Sequence, residues 1–189
     1  MMILVLAANG ADVNEGTESE IDLNDHATRP LHYAMHLRET ELLLDLGANV
    51  NALDGMLHAT PLILTAGDDN LDRAKARARL LLRRGADVTS RCAFEGRDAE
   101  RTALSFNRND LADLFAAVKA AGSWPRYIRA PRVALVRLRL LCSRGRARPP
   151  NEPILARLFA AAPPVSSNCP LPNEIFWLVL SFWRTDRDD

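Results

Sequence analysis

The chain has 189 residues, of which 48% are hydrophobic and 25% are charged, and its formal net charge is +0. These values are ordinary for a globular protein with one domain, or with one domain and an appendage. The three cysteines, Cys92, Cys142 and Cys169, are widely spaced and form no CxxC pair, which argues against a disulfide framework and against a zinc site.

The N-terminus begins with a short apolar run, MMILVLAANGADVN. No basic segment precedes this run and acidic residues follow it, so we do not predict a signal peptide. No segment reaches the roughly 18 uninterrupted apolar residues that a membrane span needs. We therefore expect a cytoplasmic or nuclear protein without a membrane partner.

Two motifs recur in alternation along residues 1–122. The first motif stands as LAANGADVN (6–14), LLDLGANVN (43–51) and LLRRGADVT (81–89), and a degenerate copy, VKAAG, ends at Gly122. The glycines of these four copies are 37, 38 and 37 residues apart. The second motif stands as RPLH (29–32), TPLI (60–63) and TALS (102–105). Repetition at such a period indicates stacked copies of one structural unit.

Each unit reads as a helix, a turn, a second helix and an extended link. Thr60 can cap the first helix, because its hydroxyl can accept a hydrogen bond from an unpaired amide of the first turn. Pro61 suits the first helical position, where the missing amide proton costs nothing. Gly85 is expected to end the second helix, because glycine adopts the left-handed conformation cheaply. No unit can bury its apolar stripe alone, so the units must stack.

These motifs resemble the ankyrin repeat. Its T-P-L-H and L-L-L-x-x-G-A-D-V-N signatures stand here as RPLHYA, TPLILTA, LLLDLGANVN and LLLRRGADVT. The resemblance covers about residues 1–122 and implies a mostly α fold: an ankyrin-repeat solenoid of helix–turn–helix units with projecting hairpin loops, followed by a C-terminal helical tail. It implies that the first repeat has lost its first helix and that the fourth acts as a C-terminal cap.

This chain departs from the family pattern at several positions. Arg29 replaces the capping threonine, so the helix that follows it should begin less firmly. The links 15–28 and 90–101 are longer than the tight hairpin of the family. A tail follows the repeats, and we divide it into a basic amphipathic helix with a linker, 123–150, and proline-bounded helices, 151–189.

Two polar clusters in the repeats could suggest a metal site. His32 and His36 are four residues apart, but His32 occupies the motif position that normally satisfies backbone groups. Asp68, Asp69 and Asp72 lack the glycine and terminal glutamate of a calcium loop, so we expect a solvated, helix-initiating turn. We therefore predict no metal, no cofactor and no catalytic residue.

The resemblance implies a protein-binding surface along the hairpin tips and the exposed face of the first helices. Exposed apolar residues at loop tips are the best candidates, because they cost solubility unless a partner covers them. Carried over by position, the candidate residues of this surface are Tyr33, His36, Leu53, Asp54, Met56, Leu57, Arg91, Phe94 and Arg97.

The segment after the repeats is strongly basic, with eight arginines between Arg126 and Arg148. Such a patch can bind nucleic acid or an acidic partner. The interpretation that we favour is an amphipathic helix packing on the last repeat, because Val133, Val136, Leu140 and Leu141 form a helical apolar stripe with Leu138. We do not expect nucleic-acid binding.

The last segment, CPLPNEIFWLVLSFWRTDRDD, predicts a helix that is apolar nearly all round. LPNEIFWLVLSFW resembles the opening of an F-box, which docks on a Skp1-type adaptor of cullin-RING ligases. The whole tail also resembles a SOCS box, with LRLLC (138–142) as the elongin-binding helix and PLPNEI (170–175) as the cullin-selecting motif. Either resemblance implies partner contacts by Leu171, Pro172, Ile175, Phe176, Leu178, Val179 and Trp183.

The sequence thus predicts a monomeric, non-catalytic protein-interaction module whose protein partner is unknown. The alternative is a substrate-recognition adaptor of a cullin-RING ubiquitin ligase, in which the repeats hold the target and the tail holds the Skp1-type or elongin adaptor. A third hypothesis is a hidden hydrolase or metal site, which no catalytic constellation in the sequence supports.

Overall fold

The computed structural model describes residues 9–16, 28–146, 148, 159 and 176. The chain divides into two units, Met1–Trp124 and Pro125–Asp189. Within the described residues the secondary structure consists of seven α-helices and includes no β-strand, which confirms the mostly α class. The helices are α1 (Pro30–Tyr33), α2 (Leu37–Asp45), α3 (Pro61–Thr65), α4 (Leu71–Arg83), α5 (Ala99–Ser105), α6 (Asn109–Ala121) and α7 (Trp124–Ser143).

The first six helices form three pairs in which a short helix packs against a second one. These pairs are α1 with α2, α3 with α4, and α5 with α6. The short helices also pack on one another from pair to pair, as do α2 and α4. Fully buried apolar side chains, such as Leu62, Leu81 and Phe115, fill the space between the helices. Each pair therefore uses its neighbour to bury its apolar stripe.

The predicted helix starts and stops around α3 and α4 are confirmed. The Thr60 hydroxyl accepts a hydrogen bond from the Ile63 amide at 3.4 Å, and Pro61 is the first residue of α3. Gly85 follows α4 with a φ of 93°, and the Ala86 amide donates to the Leu81 carbonyl at 2.9 Å. This left-handed turn satisfies a carbonyl that the helix end leaves unpaired.

Helix α5 begins earlier than the motif alignment predicted. The alignment placed the capping residue at Thr102, but the cap is Asp98 and α5 starts at Ala99, so the link after α4 is four residues shorter than expected. Asp98 is the cap, because its carboxylate accepts from the Arg101 amide at 3.0 Å. Thr102 lies inside the helix and donates its hydroxyl proton to the Asp98 carbonyl. The stronger capping residue four positions upstream therefore determined the start.

Helix α1 spans only four residues, and the Arg29 side chain provides no cap, in keeping with the weaker start that was predicted. His32 compensates in part. Its Nδ1 accepts from the Arg29 amide at 3.0 Å, and its Nε2 lies 3.0 Å from the Ala52 carbonyl oxygen. One neutral tautomer, with the proton on Nε2, makes both hydrogen bonds. This confirms that His32 satisfies backbone groups.

Two asparagine side chains each link one left-handed glycine turn to the next one along the chain. The Asn14 side chain donates to the Gly47 carbonyl at 3.1 Å and accepts from the Asn49 amide at 2.7 Å. In the next pair, Asn51 donates to the Gly85 carbonyl at 3.4 Å and accepts from the Asp87 amide at 2.8 Å. We call these two sets of contacts the asparagine bridges. The two bridges make the same contacts about one repeat apart. They hold successive helix pairs in register.

The turn between α3 and α4 contains a buried ion-pair network. The Arg73 side chain donates to both carboxylate oxygens of Asp68, at 2.6 and 2.9 Å. The buried Arg77 guanidinium lies 3.7 Å from the same carboxylate. The sequence predicted a solvated turn at Asp68. This prediction is wrong, because two arginines of α4 hold the Asp68 carboxylate inward. The hydrogen bonds from Arg73 hold the pKa of Asp68 below its ordinary value, although burial opposes this shift.

No helix within the described residues is long and apolar enough to cross a membrane.

We predict that Asp68→Asn destabilises the fold by about 3 kcal/mol near pH 7, because it removes the negative charge that lies 3.7 Å from the buried Arg77 guanidinium. The folded-state pKa of Asp68 is lowered, so its stabilising effect is present above the unfolded-state pKa and is lost as the pH falls through the folded value. Urea denaturation at several pH values checks this prediction. The exposed neighbour Asp69→Asn is the control, and an equal loss for Asp68→Asn at neutral and strongly acidic pH would contradict it.

Candidate functional site

An apolar pocket of about 330 Å³ lies on the first unit, between two loops and the short helices α3 and α5. The first loop, Asp54–Ala59, precedes α3, and the second, Cys92–Arg97, precedes α5. We call this feature the apolar pocket. Its lining residues are Leu57, Ala59, Ile63, Leu64, Gly67, Cys92, Phe94, Arg97, Thr102 and Phe106.

Asp54 determines the shape of the first loop. Its Oδ1 atom accepts hydrogen bonds from the Leu57 and Ala59 amides, both at 2.9 Å, and its own amide donates to the Ala59 carbonyl. These bonds close the loop and present Leu57 to the pocket. Asp54 is only 6% exposed, so the prediction that it contacts a partner from an exposed tip is wrong. The carboxylate points inward because the tight loop leaves two backbone amides to be satisfied.

The second loop is a tight turn closed by two backbone hydrogen bonds. The Arg97 amide donates to the Phe94 carbonyl at 3.2 Å, and the Cys92 amide donates to the Arg97 carbonyl at 2.9 Å. The two central residues, Glu95 and Gly96, have φ values of 54° and 59°, as in a type I′ turn. The Ala93 amide also donates to the Leu57 carbonyl at 2.7 Å. The two loops are therefore joined directly, which sets the width of the pocket.

Arg97 supports the aromatic ring at the edge of the pocket. Its guanidinium carbon lies 4.9 Å from the centroid of the Phe94 ring, and its Nη2 atom lies 2.6 Å from the Glu95 carboxylate. The Phe94 ring remains 53% exposed. A large ring held in place by a cation above it, yet open to solvent, provides a rigid apolar contact surface.

Helices α3 and α5 supply the floor and the opposite side of the pocket. Ile63 and Ala59 are buried at the base, whereas the Phe106 ring is 55% exposed. The Phe106 ring lies beside Gly67, since a Cβ atom added at Gly67 would be 3.5 Å from its Cε2 atom. The ring therefore occupies space that a larger residue at position 67 would fill.

Sequence reasoning found three of the residues that line the apolar pocket and missed the others. The three are Leu57, Phe94 and Arg97. The missed ones that matter most are Ile63, which lies in α3, and Phe106, which is the C-cap of α5, so neither belongs to a predicted link. Phe106 could have been found, because it is an aromatic residue in the otherwise polar run SFNRND, where a core contact is not expected.

The other candidates from the repeats do not line the pocket. Met56 lies at the tip of the first loop and is 82% exposed, and Leu53 is partly buried before that loop. Tyr33 is 64% exposed in α1. His36 and Arg91 are also exposed. The structure therefore brings together only part of the predicted surface.

In the second unit, most of the predicted partner-binding residues lie outside the described residues: Leu171, Pro172, Ile175, Leu178, Val179 and Trp183. Phe176 is described and is only 2% exposed. Its ring meets Phe159 edge to face at 6.3 Å, and the Arg139 guanidinium lies 4.0 Å above it. Cys142 completes this small core. In this structure Phe176 is thus packed within its own unit.

The lining of the pocket decides what it can bind. Arg97 is its one ionisable side chain apart from the buried thiol of Cys92, and the remaining side chains are apolar or, at Thr102, neutral. Among the residues that the structure describes, no group of three or more His, Cys, Asp or Glu is placed to hold a metal ion. The pocket therefore suits an apolar group better than a polar metabolite.

No protein-family model matches the chain, and no curated protein matches it either.

We predict that Asp54→Ala opens the first loop, because the Leu57 and Ala59 amides lose their acceptor. The expected loss of stability is about 1–3 kcal/mol, the cost of leaving buried amides unsatisfied. Hydrogen–deuterium exchange of these two amides checks the prediction and should become faster than that of amides in α4. Unchanged exchange at Leu57 and Ala59 would show that the carboxylate does not hold the loop.

Proposed function

We propose that the chain is a non-catalytic protein-binding module of the ankyrin-repeat class. Three structural features support this class: the helix pairs stacked one on another, the left-handed glycines at 47 and 85, and the asparagine bridges between successive stops. These features recur at the same period as the sequence motifs. One repeated structural unit therefore explains both the motifs and the contacts. The module holds its partner with loops and short helices, which are the parts that form the apolar pocket.

The single observation that carries this proposal is the apolar pocket with exposed rings on two sides. Phe94 and Phe106 are each more than half exposed, and Leu57 of the first loop also lines the pocket. Large apolar side chains grouped around a concavity are typical of protein-binding surfaces, because their exposure to water is unfavourable and a partner removes it. We infer that a large apolar side chain of the partner enters the pocket.

Size and polarity separate a protein partner from a small-molecule ligand. A pocket of about 330 Å³ is near the lower limit for small-molecule sites. Such sites also need convergent polar groups that fix the orientation of the ligand, and this lining offers only Arg97 and Thr102. A single apolar side chain of a peptide fits the available space and needs no further polar contact.

The ligase-adaptor alternative depends on the second unit. It requires the tail helix and the LRLLC segment to contact a Skp1-type or elongin adaptor. The described residues of these segments favour packing within the unit instead, since Cys142 and Phe176 are buried against Phe159. We therefore place the binding function on the apolar pocket and keep the adaptor role as the alternative.

The test is peptide selection on the full chain, followed by substitution of the pocket rings. A displayed library of random peptides is panned on the wild-type chain, and the dissociation constants of the selected peptides are measured. We expect the peptides to share one large apolar residue. Phe94→Ser and Phe106→Ser should each weaken binding by about tenfold or more, as is typical of aromatic anchors.

Leu104→Ser is the matched control, because Leu104 is 50% exposed in α5 but does not line the pocket. All three substitutions change exposed side chains, so circular dichroism should show the same folded state. Peptides without a shared apolar residue would contradict the proposal. An equal effect of Leu104→Ser and Phe106→Ser would contradict it as well.

A further inference from the structure

Helix α7 presents an exposed face that combines arginines with aliphatic side chains. The α7 face consists of Arg126, Val133, Arg137, Leu140 and Leu141 of the helix and of Arg144, the residue that follows it. Val133, Leu140 and Leu141 are 44%, 48% and 41% exposed. The other side of the helix is already used, because Leu135, Val136 and Leu138 pack against the core of Cys142, Phe159 and Phe176. Among the described residues, Val133, Leu140 and Leu141 do not belong to this core.

The sequence that contains this helix is basic and includes no acidic residue. Residues 123–150 contain eight arginines and no aspartate or glutamate. This segment is basic within a chain whose formal net charge is +0. A local field of one sign attracts an oppositely charged partner and accelerates its approach.

The spacing of the exposed residues indicates the shape of the partner. Val133 follows Arg126 by seven residues, and Leu140 follows Val133 by seven. Arg137 and Arg144 are also seven residues apart, so they form a second row beside the first. Rows with this spacing stay on one side of a helix and face a second helix packed along it.

An anionic membrane fits this face poorly. An interfacial helix inserts a continuous apolar stripe while its charges remain at the level of the headgroups. Here Arg137 lies between Val133 and Leu140, so inserting these aliphatic residues would carry a guanidinium toward the hydrocarbon. Such burial is expensive.

Nucleic acid also fits this face less well than a protein does. Phosphates would pair with the arginines, but they would leave Leu140 and Leu141 exposed to water. A protein helix that carries carboxylates and apolar side chains satisfies both kinds of residue. We propose that the α7 face binds an acidic amphipathic helix of a partner protein, with carboxylates on Arg126, Arg137 and Arg144 and apolar side chains on Val133 and Leu140. This surface is distinct from the apolar pocket, and either can fail without the other.

The experiment uses the full chain and a synthetic helical peptide of about three heptads, with Leu and Glu on the seam. A second peptide carries Lys at every Glu position. We expect the Glu peptide to bind and the Lys peptide to show no binding in isothermal titration calorimetry. The double variant R137E/R144E should weaken binding of the Glu peptide by about tenfold or more, which corresponds to the loss of two charge pairs.

Two further variants test the apolar and the charged contacts separately, and the first of them excludes simple attraction between opposite charges. V133S/L140S removes the aliphatic contacts and should also weaken binding, whereas a flexible polyanion would be insensitive to it. R137Q/R144Q removes the charges without reversing them and should weaken binding in the same direction. The control R38E/R83E reverses two exposed arginines of α2 and α4, and the affinity should remain unchanged.

Four outcomes would overturn the proposal. One is that the Glu peptide does not bind the wild-type chain. A second is that R38E/R83E weakens binding as much as R137E/R144E does, and a third is that V133S/L140S has no effect. The fourth is that a duplex RNA oligonucleotide, or vesicles containing phosphatidylserine, bind the wild-type chain more tightly than the peptide does. Equal circular dichroism spectra of the variants exclude unfolding as the cause of any loss.

Discussion

The asparagine bridges are the contacts on which the arrangement of the first unit depends. A helix end leaves carbonyls unpaired, and a left-handed glycine satisfies some of them but leaves its own carbonyl exposed. The Asn51 side chain donates to this carbonyl of Gly85 and accepts from the amide of Asp87. A side chain of one repeat therefore completes the hydrogen bonding at the helix end of the next repeat. Asn14 makes the same two contacts with Gly47 and Asn49. Each helix pair is thereby held at a fixed position relative to its neighbour.

The apolar pocket is a consequence of this register. Its two loops belong to successive units and meet through the hydrogen bond from the Ala93 amide to the Leu57 carbonyl. If one helix pair shifted along the next, that hydrogen bond would break. Leu57 and Phe94 would then no longer line one cavity. Asp54 shapes the first loop, and the turn at Glu95 and Gly96 shapes the second. Backbone geometry thus places the apolar side chains that a partner is proposed to contact.

The sequence predicted well the features that a local pattern controls. Thr60, Pro61 and Gly85 act as expected, because caps and left-handed glycines depend on a few neighbouring residues. The start of α5 was misplaced, since two capping residues four positions apart, Asp98 and Thr102, competed and the motif alignment favoured the weaker one. The inward positions of Asp54 and Asp68 were also missed. Each carboxylate is held by groups that only the folded turn brings near it, amides in one case and arginines in the other. Phe106 was missed for a similar reason, because its place beside Gly67 depends on the packing of α3 against α5.

The most direct test of this account is amide hydrogen exchange at Asp87 in the Asn51→Ala variant, with urea denaturation of the same protein. If Asn51 holds the units in register, exchange at Asp87 becomes faster and the free energy of unfolding falls by about 1 kcal/mol, the typical net contribution of such hydrogen bonds. Asn109→Ala is the control, since Asn109 is exposed at the start of α6. Unchanged exchange at Asp87 and an effect no larger than that of the control would contradict the account.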